Sequence, residues 1–171
     1  VKCLFIKRLD ETVQNLKYDF FSSIELHPNL FKQYGCKQVG SNGELLEANK
    51  VVEGMGILAA LIAAKPNNEF IKECLDYFGN RHFVNPDGSL YTDIINPGIM
   101  ATLAVKYGFR YIDKTQVLDN NMIILDSSVF AGNAATFSKQ SYSMHYCDGS
   151  WREKTLVQKL KSFIRNYFLV K

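Results

Sequence analysis

The chain has 171 residues, 47% of them apolar and 22% charged, with a formal net charge of +3. Those values suit a single globular domain spanning 1–171 and exclude disorder, collagen-like repeats and an all-charged coiled coil. The charge is too small for the usual nucleic-acid footprint, so nucleic acid is not expected as a partner. It is also unevenly placed. Residues 151–171 carry Arg152, Lys154, Lys159, Lys161, Arg165 and Lys171 against Glu153 alone, while residues 1–150 are slightly acidic.

In chain order, residues 1–6 read as a strand and 9–16 as a short helix. Residues 18–24 form an aromatic-rich strand. Glu25 follows it as a solvated strand-end carboxylate. Residues 27–48 hold turn formers throughout and read as loop. Residues 54–64 are either a buried strand followed by a turn or a buried helix, since a short apolar run fits both. A clearer helix spans 67–78, with Asn67 or Asn68 as its cap and Phe70, Ile71, Cys74, Leu75 and Phe78 on one face. Asn85-Pro86-Asp87-Gly88 is a turn. Asn96-Pro97 opens a further helix that Gly108 ends. Residues 122–125 and 141–145 are short strands, and 152–168 is a long amphipathic helix. Strands and helices interleave, so the class is α/β or α+β. No internal repeat, low-complexity segment or dividing linker is present.

The four cysteines, Cys3, Cys36, Cys74 and Cys147, form no CxxC pair. They read as buried small hydrophobes in a reducing, cytoplasmic compartment. The longest nearly apolar run, residues 51–64, is too short to span a bilayer. The basic helix at 152–168 reads first as docked on the domain. Peripheral contact with the inner face of a membrane is its alternative reading.

Among the histidines, His27 and His82 read as exposed or capping. His145 differs because Tyr142-Ser143-Met144-His145-Tyr146-Cys147-Asp148-Gly149-Ser150-Trp151 gathers an imidazole, a carboxylate, a hydroxyl and the one tryptophan at a strand end. Imidazole binds divalent metals, and Ser and Trp can donate to phosphate oxygens. Composition alone favours a structural tryptophan corner over a site. No G-x-G-x-x-G, P-loop, H-E-x-x-H or G-x-S-x-G pattern occurs.

Several stretches, taken in order, carry a resemblance. They are Lys7-Arg8-Leu9-Asp10-Glu11, Tyr18-Asp19-Phe20-Phe21 with Glu25, and Gly56-Ile57-Leu58 through Ala64. Asn68-Glu69-Phe70-Ile71-Lys72-Glu73, the run from Asn80 to Leu90, Lys106-Tyr107-Gly108-Phe109 and Tyr142-Ser143-Met144-His145-Tyr146 followed by Ser150-Trp151 complete the set. In this order and spacing the chain resembles the bacterial glycosyltransferases of the "sugar-binding region containing DXD motif" family, of capsular-polysaccharide type. The resemblance implies the C-terminal portion of a GT-A nucleotide-diphospho-sugar transferase fold, with a mixed sheet and flanking helices. It implies metal-dependent, retaining transfer of a sugar from a UDP- or GDP-sugar donor to a glycan acceptor. Mn²⁺ or Mg²⁺ is the implied cofactor, His145 the metal ligand, and Ser150 and Trp151 the contacts to the donor diphosphate.

The family's Asp-x-Asp does not occur in these 171 residues. In the resemblance it falls at or just before residue 1, where the chain opens abruptly on Val1-Lys2-Cys3. The expectation is therefore an N-terminally incomplete enzyme, inactive by itself. The alternative is a non-catalytic remnant that serves as a binding or dimerisation module.

Overall fold

The computed structural model describes residues 2–5, 17–79, 81–91, 95–146 and 155–157. The helix expected at 9–16 lies outside them, as does all but a short piece of the one expected at 152–168. Eleven elements follow in order: β1 (Lys2–Phe5), β2 (Phe20–Leu26), α1 (Pro28–Gln33), β3 (Met55–Ile57), β4 (Ala63–Ala64), α2 (Glu69–Gly79), α3 (Asn96–Ala104), β5 (Gln116–Leu118), β6 (Met122–Leu125), β7 (Phe130–Ala131) and β8 (Ser143–Tyr146). The fold is α/β, with a mixed sheet and flanking helices.

The larger sheet is organised on β2. β6 runs parallel to it, from Phe20 beside Met122 to Ser23 beside Leu125. β3 and β4 pair antiparallel with successive stretches of its other edge. β5 closes the far side as the antiparallel neighbour of β6. A second, three-stranded sheet has β8 at its centre, antiparallel to β1 and parallel to β7.

β2 reads Phe-Phe-Ser-Ser-Ile-Glu-Leu, and strand pleating sends alternate side chains to opposite faces. Phe20 and Ile24 are fully buried in the main core with Met122, Ile124, Phe70 of α2, and Met100, Ala101 and Ala104 of α3. Phe70 meets Phe20 edge-on at a centroid distance of 5.0 Å and Tyr107 at 5.8 Å. Burying a ring of this size contributes up to about 3 kcal/mol. Phe21, on the opposite face, belongs to a separate apolar cluster with Leu58, Ile123 and Phe130. It stacks on Phe130 of β7 at 6.3 Å, so this face of β2 packs against the second sheet.

The α2 cap is Asn68, whose Oδ1 accepts from the Ile71 amide at 3.1 Å. The Asn85–Gly88 turn forms as expected, closed by Gly88 N–H to Asn85 C=O at 2.9 Å. α3 starts at Asn96-Pro97, passes into a 3-10 turn at Val105–Tyr107 and ends at Gly108, whose φ of 94° is left-handed. Of the two readings for 54–64, the strand is the one adopted, with a turn and then β4 after it.

Three expectations need correction. Residues 27–48 are not all loop: Pro28 sits in the first turn of α1, where its missing N–H costs nothing, and a 3-10 turn follows at Gly35–Lys37. The apolar stripe of α2 is only partly used. Phe70 is buried, but Leu75 and Phe78 are exposed, because the helix docks through its first turns. Cys36 is exposed rather than buried, whereas Cys74 is half-buried. Among the described residues, no helix is long and apolar enough to cross a membrane.

Candidate functional site

The odd-numbered face of β2 builds the candidate site one residue at a time. Phe21 stacks on Phe130. Ser23 Oγ donates to the Phe130 carbonyl at 3.3 Å. Glu25 is next on that face and lies against Gly132, the residue after Phe130–Ala131. A Cβ placed on Gly132 would sit 3.1 Å from Glu25 Cγ and 3.7 Å from Leu58 Cδ1. The absence of a side chain there is what lets the two segments approach.

β8 brings His145 to the same place. Phe130 pairs with Ser143 and Ala131 with Met144, so the register continued by one residue puts Gly132 beside His145. His145 is half-buried, and its Nδ1 is buried without a hydrogen-bond partner among the described residues. Burial lowers its pKa below the ordinary imidazole value, and the Glu25 carboxylate partly opposes this. The neutral ring that burial favours is the form that offers a lone pair to a metal.

Glu25 is only 6% exposed, contrary to the solvated strand-end carboxylate expected from sequence. The alternation Phe21-Ser23-Glu25 places it on the face covered by the second sheet. His27 Nε2 contacts its Oε1 at 3.4 Å, a long hydrogen bond, and this imidazole is itself 43% exposed. Asn133 fixes the loop beside them. Its Nδ2 donates to the Leu26 carbonyl at 2.7 Å, and its Oδ1 accepts from the Ala135 amide at 2.9 Å.

Of the expected site residues, His145 is thus described, while Ser150 and Trp151 lie outside the described residues, as does Asp148. His27 joins the site through Glu25, and His82 is exposed, as expected. Sequence reasoning missed Gly132 and Asn133 altogether. A Gly-Asn pair just after a short apolar run was the one available signal. Among the described residues, no three His, Cys, Asp or Glu side chains are grouped so as to hold a metal ion. A cation at His145 would therefore take its other ligands from a bound anion or from residues outside this set.

Among the described residues, the site thus offers a buried nitrogen lacking a partner, a buried carboxylate with one weak partner, and an amide-braced loop beside them. Compared with known proteins, the chain matches no family model, no curated protein and no solved structure.

Proposed function

We propose that this chain is the C-terminal part of a metal-dependent, retaining glycosyltransferase of GT-A type, acting on a nucleotide-sugar donor and a glycan acceptor in surface polysaccharide synthesis. The observation that carries the reading is His145: the histidine that the motif resemblance marks as a metal ligand has a buried Nδ1 with no partner among the described residues. An orphaned buried polar atom costs about 1–3 kcal/mol and calls for an explanation, and a divalent cation supplies one. The donor set fits in part: Mn²⁺ and Mg²⁺ prefer oxygen ligands, which a diphosphate would supply beside the one imidazole.

In this reading His145 holds the cation against the donor diphosphate, with Ser150 and Trp151 as the further diphosphate contacts. Mn²⁺ or Mg²⁺, when bound, stabilises negative charge on the departing nucleoside diphosphate. The chain's own residues orient that end of the donor. Asn133 holds the loop after β7 in register, and Glu25 lines the wall beside it. The Asp-x-Asp carboxylates are not among these 171 residues, so this polypeptide alone is expected not to turn over.

The test is proton NMR of the three histidines during titration with Mn²⁺ and UDP or GDP. Paramagnetic broadening is expected at His145 at concentrations that leave exposed His82 sharp. Equal broadening at His82, or none at His145, overturns the reading. Nucleotide-sugar hydrolysis or transfer well above background would show that the account of the absent carboxylates is wrong.

A further inference from the structure

Residues 152–168 are a strongly patterned stretch of sequence that the proposed site does not use. On the 3.6-residue period of an α-helix, all seven apolar residues from Leu156 to Phe168 fall within an arc of about 140°. Arg152 and Lys159 border one edge of that arc, and Lys154, Lys161 and Arg165 border the other. Glu153 is the one acid between residues 151 and 171. A stripe of this kind either docks on its own domain or meets another apolar phase. The described turn within the stretch decides how it starts. Leu156 is 84% exposed and Val157 62%, so the first two residues of the stripe do not pack on the domain.

We propose that residues 152–168 bind the surface of an anionic membrane, with the apolar stripe at the boundary of headgroups and acyl chains and the flanking cations at lipid phosphates. The inference is independent of the glycosyl-transfer reading. Charge complementarity favours lipid. The cations sit at both edges of the stripe, where Lys and Arg can lay their stems along an apolar surface and keep their heads at the level of the phosphates. The stripe supplies the apolar part of membrane affinity and the cations the electrostatic part. Nucleic acid would use the cations and leave the stripe in water. Residues 1–150 are slightly acidic, so attraction to an anionic surface is confined to this end of the sequence. Five cations within 152–168 make the stretch too polar to cross the bilayer, and lying on it is the remaining mode.

The experiment is co-sedimentation of the full chain with vesicles of phosphatidylcholine alone, or of phosphatidylcholine and phosphatidylglycerol in equal parts, at about 50 mM and about 500 mM salt. Binding to the anionic vesicles is expected to be at least about tenfold tighter than to the neutral ones, and to fall at high salt. The double variant Lys159→Gln, Lys161→Gln is expected to bind about tenfold more weakly. The double variant Leu156→Ser, Val157→Ser is expected to lose about as much, with an unchanged urea midpoint because both side chains are already exposed. Absence of binding to anionic vesicles overturns the proposal, as does equal binding to neutral ones. Undiminished binding by the serine variant reveals contact through charge alone and overturns it. A lowered urea midpoint in that variant shows that the stripe packs on the domain, and has the same consequence. Equal affinity for duplex DNA, lost in the glutamine variant but kept in the serine variant, identifies a general polyanion contact and likewise overturns it.

Discussion

The two faces of β2 are built from the same seven residues but follow different rules. The even-numbered face is built for burial: Phe20 and Ile24 are fully buried against two helices, and the Ser22 hydroxyl between them is satisfied by the Leu58 and Leu61 carbonyls. The odd-numbered face starts in the same way at Phe21, then changes within four residues to a bonded serine and an under-partnered carboxylate. The larger apolar core lies on one side of the strand, and the poorly partnered carboxylate on the other. The difference teaches that one strand can anchor a core on one face and hold a buried carboxylate on the other, provided that a glycine opposite lets the segments approach.

The comparison breaks most severely at the core. Phe70→Ala removes the ring that joins Phe20 to Tyr107 and is expected to destabilise the chain by about 3–5 kcal/mol, read by urea unfolding. That loss is enough to unfold many domains of this size. Gly132→Val tests the odd face by overfilling it. With its Cβ only 3.1 Å from Glu25 Cγ, the substitution is expected to cost about 1–3 kcal/mol and to shift the His145 and His27 resonances. Asn133→Ala removes the bond to the Leu26 carbonyl and the one from the Ala135 amide, for an expected loss of about 1–2 kcal/mol. Glu25→Met sharpens the contrast most because its sign is opposite. Replacing a poorly partnered buried carboxylate with an apolar side chain is expected to raise stability by about 1 kcal/mol at neutral pH, read by urea unfolding. A destabilised Glu25→Met would mean that the carboxylate belongs to the scaffold.

The sequence carried much of this asymmetry, but not all. The cap and span of α2, the start of α3 at Asn96-Pro97 and its end at Gly108 were legible because capping and turn chemistry are local. The use of the α2 stripe was not, since Leu75 and Phe78 have the right period but nothing in the sequence says where the core ends. α1 was missed because six residues give no period, and its Pro28 also reads as a loop signal. His145 stood out through its motif. Glu25 did not, because its burial depends on a segment 107 residues away, tied to β2 through the Phe130 and Asn133 bonds. Pairing at that distance leaves no trace in a local pattern.

The parallel pairing of β2 with β6 has a consequence for how the chain reaches this state. Met122 lies roughly 100 residues after its neighbour Phe20. At about 5–20 residues per second, a ribosome needs several seconds to produce the second strand after the first. During that interval β2 can pair with β3 and β4 on one edge only. Its other edge, flanked by two adjacent phenylalanines, stays open as a template for other chains. Asn121 marks the end of the wait, because its Nδ2 reaches back to the Lys17 carbonyl and the Asp19 carboxylate, each at 2.9 Å. Newly made chains are therefore most prone to aggregate before residue 121 emerges, a vulnerability of timing that the finished fold no longer displays.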